Sequence, residues 1–214
     1  MAARTTEGDE PVARATAGRD GYGVGRLLAF SDGVFAIAIT LLVLSIPIPD
    51  IDPAAPDLNQ RLVDALRHLL PFLAGFGLSF VLVGAHWIIH HRTFRGIERA
   101  DGRLLWLNLL VLLGICLVPF ATSLLIRYGD APVVTIAYAA VQVGISLAYF
   151  ALRTYLAGLG GATHTSATLG LIQLSGFAIS IPVALVSVKG AYVLWLSGIA
   201  VARVLDGWHR RSRR

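Results

Sequence analysis

Residues 26–44 read RLLAFSDGVFAIAITLLVL. An arginine opens the stretch, the triplet Phe30-Ser31-Asp32 follows, and an apolar run closes it. A carboxylate at the start of an apolar span is expensive in hydrocarbon, and such groups are usually functional. Arg26 and Asp32 stand six residues apart, about 240° around an ideal helix, so they cannot pair on one helix. Asp32 therefore needs partners from other helices. Beyond it, Ile37, Leu41 and Leu44 fall at i, i+4 and i+7. Thr40 lies on the same side as Ile37, and Ile48 extends the line outward, giving one helical stripe.

The rest of the chain has the same character. Of its 214 residues, 56% are hydrophobic and 14% charged, with a mean hydropathy of +0.70. A soluble domain of this size carries about a quarter charged residues. The composition predicts an all-α polytopic membrane protein. Hydropathy marks candidate helices at 26–48, 62–94, 104–126, 131–156, 167–188 and 191–205, six in all. Most approach the ~20 apolar residues that cross a bilayer core. Gly158, Gly160 and Gly161 separate the fourth from the fifth, and Gly190 is nearly the only break between the last two. Residues 1–25 mix Arg4, Glu7, Asp9, Glu10, Arg14, Arg19 and Asp20 with Ala, Thr and Gly. They lack the apolar core of a signal peptide and read as a disordered cytoplasmic tail. The transmembrane domain is expected over 26–208, with a basic cytoplasmic tail at 209–214.

The net charge of +5 points to topology rather than to nucleic acid, which is not expected as a partner. With both termini inside, the inner segments hold Arg4, Arg14, Arg19, Arg26, Arg92, Arg95, Arg99, Arg103, Arg153, Arg203, Arg210, Arg211, Arg213 and Arg214. The outer segments hold only Arg61, Arg67, Arg127 and Lys189, beside acidic Asp50, Asp52 and Asp57. The positive-inside rule then puts both ends in the cytoplasm of a multi-pass plasma-membrane protein. Cys116, the single cysteine, can form no intrachain disulfide and is expected to be buried packing.

Depth along each helix, at ~1.5 Å per residue, gathers polar groups into one layer. Asp32 sits roughly 9 Å inward from Arg26, His86 roughly 9 Å inward from Arg92, and Asn108 roughly 7 to 8 Å from Arg103. Trp87 adds an indole donor beside His86. A layer shared by three helices satisfies groups that hydrocarbon would leave orphaned. Its expected role is structural, anchoring the inner end of the first helix, and Ser31 is free to bond back to its own helix. His86 and His90 share a face at i, i+4, a spacing that can bind zinc. No third and fourth ligand stands near them in the sequence, so neither a metal nor another cofactor is expected.

The same residues carry a resemblance. Arg26-x-x-x-Phe30-Ser31-Asp32 followed by GVFAIAITLLVL resembles the signature of the transmembrane protein 175 family, the lysosomal potassium channels and their prokaryotic relatives. His86-Trp87, His90-His91, Asn108 and Pro119-Phe120 continue it through the first three helices, while the last three match in number and length. The resemblance implies a six-helix channel domain and, with a single FSD, a homotetramer around a central pore lined by the first helix. It implies passive conduction of potassium, other monovalent cations being possible. Ile37 takes the position of the narrowest hydrophobic gate, Thr40 that of a threonine layer linked to potassium preference, and Leu41 and Leu44 those of further hydrophobic layers. Arg26, Phe30, Ser31 and Asp32 correspond to an inter-helix network with His86, Trp87 and Asn108.

Two other classes compete. A proton-coupled secondary transporter would use Asp32 as its titrating group, and Pro119 and Pro182 could break helices as transporters do, but the halves show no repeat. A metal-dependent intramembrane hydrolase would need His86, His90 and Asp32 to converge. The pore reading needs no enzyme chemistry, and none is expected. The chain also lacks a TVGYG-like segment for a carbonyl-ring filter.

Overall fold

The computed structural model describes residues 22–158 and 167–198. The elements run β1 (Tyr22–Gly23), α1 (Val24–Leu41), a 3-10 turn (Leu42–Ser45), α2 (Leu58–His68), α3 (Leu70–Thr93), β2 (Arg99–Ala100), α4 (Gly102–Tyr128), α5 (Pro132–Gly158) and α6 (Ala167–Val186). A further helix, α7, occupies 188–198. Four stretches among the described residues are long and apolar enough to cross a membrane: Val24–Ser45, Leu70–Thr93, Gly102–Tyr128 and Pro132–Gly158. Gln173–Val186 is a shorter apolar segment.

The bundle centres on α4, which packs against α1, α3 and α5, and α5 carries α6 on its other side. One apolar core joins α1, α3, α4 and α5 through Leu27, Phe35, Val83, Val111, Ile115 and Leu152. A second joins α3, α4 and α5 to α6 and α7 through Leu82, Leu125, Tyr138, Phe177 and Trp195. Tyr22 pairs with Ala100 and Gly23 with Arg99, antiparallel. This clasp puts the start of α1 at the same end as the α3–α4 turn, where Gly96 supplies the left-handed residue at φ 82°. The Asp101 side chain caps α4 by accepting from the Leu104 N–H at 2.8 Å, and Tyr155 of α5 donates its hydroxyl to the other Asp101 oxygen. Arg26, Arg92, Arg95, Arg99, Arg103 and Arg153 thus gather at one end of the bundle.

Several sequence boundaries move. The helix expected over 62–94 is two helices, so the described residues hold seven α-helices where six were expected. Pro71 has no N–H to donate into the preceding turn and sits in the first turn of α3, which ends α2 there. The first helix leaves α-geometry at Leu41 and finishes as a 3-10 turn. The last two helices divide at Ser187, and Gly190 lies inside α7. The expected tail of 1–25 gives up residues 22–25 to β1 and α1. Residues 1–21, the Gly160-Gly161 linker, and the expected end of the sixth helix with the 209–214 tail lie outside the described residues. Cys116, expected to be buried, is exposed on α4.

Candidate functional site

Helix α1 has two distinct faces. Leu27, Ser31, Phe35, Ala38 and Leu42 recur every three or four residues and are buried against the bundle. On the other side Phe30, Ile37, Leu41 and Leu44 are exposed, Ile37 by 60% and Leu44 by 76%. A 3-10 turn repeats every three residues, so Leu44 eclipses Leu41 and the stripe stays in line past the end of the α-helix. Thr40, also exposed, donates its hydroxyl to the Ile37 carbonyl at 2.8 Å. Its oxygen keeps capacity to accept.

The buried face carries a polar anchor. Ser31 donates to the Leu27 carbonyl at 2.9 Å, and its oxygen accepts from Asn108 Nδ2 at 3.0 Å. Asn108 Oδ1 lies 2.7 Å from His90 Nε2. With the amide nitrogen committed to Ser31, Oδ1 accepts, so His90 carries its proton on Nε2. Ser31, Asn108 and His90 are all buried. Asp32 is handled differently. It is exposed in the single chain, and its Oδ1 accepts from Trp87 Nε1 at 2.9 Å. Five residues separate it from Ile37, about 140° around the helix, so the carboxylate lies off the apolar stripe.

The structure brings Ser31, Asp32, Trp87 and Asn108 together and leaves out others expected with them. His86 belongs to a different cluster: its Nε2 lies 3.0 Å from Gln142 Oε1 and 3.2 Å from Gln173 Nε2. Its carbonyl accepts from the Tyr149 hydroxyl at 2.7 Å, and its ring stacks on Tyr149. The physical reason is rotation as well as depth. His86 and His90 are one turn apart on α3, and helix packing presents Asn108 to His90 while α5 and α6 present Gln142 and Gln173 to His86. Arg26 and Phe30 are exposed, and among the described residues neither makes a hydrogen bond or ion pair to the anchor. His86, His90 and Asp32 engage three different partners rather than converging on one point.

Sequence reasoning also missed a second buried chain. Thr122 donates to Ser79 Oγ at 2.8 Å, and Ser79 shares a 3.0 Å hydrogen bond with the Tyr138 hydroxyl. The available signal was Ser79, Thr122 and Tyr138 themselves, hydroxyls placed inside apolar helices that must find partners there.

Comparison with known proteins bears on the whole arrangement. Residues 26–119 match the family described as Endosomal/lysosomal potassium channel TMEM175. A potassium channel of Streptomyces collinus is 40% identical over 140 residues, covering 64% of this chain and 66% of that protein. A potassium channel of Chamaesiphon minutus is 43% identical over 124 residues, 58% of this chain and 59% of that protein. The matched segment thus spans two thirds or less of these relatives. The crystal structure of a lysosomal potassium-selective channel TMEM175 homolog from Chamaesiphon minutus superposes with a TM-score of 0.73 at 31% identity, covering 83% of this chain and 95% of that one.

Proposed function

The chain belongs to the TMEM175 family of membrane channels, which are not enzymes, and from that premise we propose that it is one subunit of a homotetrameric, potassium-permeable cation channel of the plasma membrane. In this reading both termini are cytoplasmic and α1 lines a central pore. The observation that carries it is the division of α1 into a face held by the bundle and an opposite stripe of Ile37, Leu41 and Leu44 that the chain leaves uncovered. Around a fourfold axis that stripe makes stacked apolar rings. Ile37 is the gate, closing by dewetting at its ring, and Leu41 and Leu44 extend the dry section outward. Thr40 places acceptor oxygens between them, where a partly dehydrated cation needs ligands.

Asp32 supports the assembly rather than the permeation path. A carboxylate in a spanning helix is too costly to leave against lipid, yet the single chain leaves it exposed with one indole donor. A neighbouring subunit removes that cost. The Ser31–Asn108–His90 chain holds the inner end of α1 in register while the apolar section stays free to face the axis.

The test is reconstitution of the purified protein in a planar bilayer with potassium on one side and sodium on the other. Single-channel currents whose reversal potential lies toward potassium equilibrium are expected. A saturable, proton-coupled flux without unitary currents would replace this reading with a transporter built on Asp32.

A further inference from the structure

Arg153 is a cation set into a helix that spans hydrocarbon. Its side chain is half-buried, and its Nε is buried without a hydrogen-bond partner. Among the described residues no carboxylate pairs with it, and the two ion pairs there lie at α2, toward the other end of the bundle. Tyr149, one turn earlier on the same face, gives its hydroxyl to the His86 carbonyl instead. A cation in a spanning helix without a partner is costly. Of its guanidinium nitrogens only Nε is enclosed and unpartnered, so the Nη pair reaches the surface.

Depth fixes what meets that surface. From Pro132, the first residue of α5, to Arg153 the helix rises about 32 Å. A hydrocarbon core of about 30 Å is therefore used up as α5 reaches Arg153, which stands at the level of lipid phosphates. The chain cannot neutralise this end by itself. The segments on the inner side hold fourteen arginines against eight carboxylates, of which Asp32 and Asp101 already accept from Trp87 and Tyr155. At least six positive charges are left over whatever pairs form. Arg103 adds a second guanidinium beside α5, 5.2 Å from the centre of the Tyr155 ring. Tyr155 is two residues beyond Arg153, about 200° around the helix, so α5 carries cations on both flanks at this depth.

We propose that the Arg153 guanidinium binds a phosphate-bearing anion at the inner surface of the membrane, in the positive field of Arg103 and the α3–α4 turn. Its planar fork matches two oxygens of one phosphate, which a point charge does not. An anionic phospholipid headgroup brings that chemistry to this depth, and a free phosphate brings it from the aqueous side. The proposal takes from the reading above only that this end faces the cytoplasm, and it holds whether or not the chain conducts.

The purified protein in neutral maltoside micelles is titrated in turn with phosphatidylglycerol, phosphatidylcholine and inorganic phosphate, and its thermal midpoint is followed by intrinsic fluorescence. A ligand that binds only the folded state raises that midpoint with concentration. Phosphatidylglycerol is expected to raise it above the phosphatidylcholine baseline, and Arg153→Gln to lose most of that difference. Arg67→Gln, on α2, is expected to keep it. Arg153→Lys, which retains the charge without the fork, is expected to fall between. A rise with inorganic phosphate alone, again lost in Arg153→Gln, supports the site with a soluble anion as its source. Equal rises from the two lipids together with none from phosphate, no rise from either anion, or a rise that Arg153→Gln keeps in full overturns it. Where Arg153→Gln does not fold, Arg153→Lys decides, and a rise equal to that of the parent overturns the site.

Discussion

Asn108 does more at the residue scale than its single position suggests. It joins His90 to Ser31, and all three are buried, so each depends on it. Asn108→Ala removes both bonds and leaves buried His90 Nε2 without its partner, while Ser31 keeps its bond to the Leu27 carbonyl; the loss costs about 1–3 kcal/mol. A lowered thermal midpoint in micelles, measured by intrinsic fluorescence, checks this, and an unchanged midpoint would remove the anchor from the account. Asp101 makes a second prediction, concerning pH. The Tyr155 hydroxyl and then the Leu104 N–H hold its carboxyl below the usual 3.8. A depressed folded value means the cap is at full strength above the ordinary carboxylate range and fails as pH falls through the lower folded value. The thermal midpoint of Asp101→Asn should therefore lie below that of the parent at pH 6, and the difference should close below about pH 4.

At the scale of elements, α4 and α5 pack tightly at Gly114. A methyl at Gly114 would stand 2.5 Å from Ile145 Cγ1, with the Ile145 Cα at 3.6 Å, so the isoleucine has little room to withdraw. Gly114→Ala should destabilise by about 1–3 kcal/mol despite its better helix propensity. Ile145→Ala in the same chain should recover part of that loss, a coupling that a double-mutant cycle measures. The elements also show how far the sequence could be read. Apolar runs and arginine clusters marked six candidate spans, and four of them match the stretches long and apolar enough to cross a membrane among the described residues, because hydrocarbon imposes length and charge directly. The Pro71 break was hidden because Leu69 and Leu70 keep hydropathy high across it. The assignment of His86 failed for a related reason: two histidines one turn apart differ by only about 40°. Rotation could not choose between them and depth matched the wrong one to Asn108; tertiary packing gives Asn108 to His90, and Gln142 and Gln173 to His86. The need of Asp32 for a donor from another helix was legible, since an intrahelical pair with Arg26 was geometrically closed.

At the scale of the whole molecule, the proposed pore needs copies of α1 around one axis, which is why neither spacing nor one chain's packing reveals it. Ile37→Ala should raise resting conductance by weakening dewetting at the narrowest ring. Each 1.4 kcal/mol or so taken from that barrier is worth about tenfold in current. Bilayer recordings of an assembled variant check it, and lower or equal current would move the gate elsewhere. The central claim, that α1 lines the conduction path, is tested most directly by labelling Leu44→Cys in the Cys116→Ser background with a charged methanethiosulfonate reagent from the outer side. The account predicts that current falls on labelling, while Phe150→Cys channels are unaffected. Full labelling of Leu44→Cys with undiminished current would contradict it.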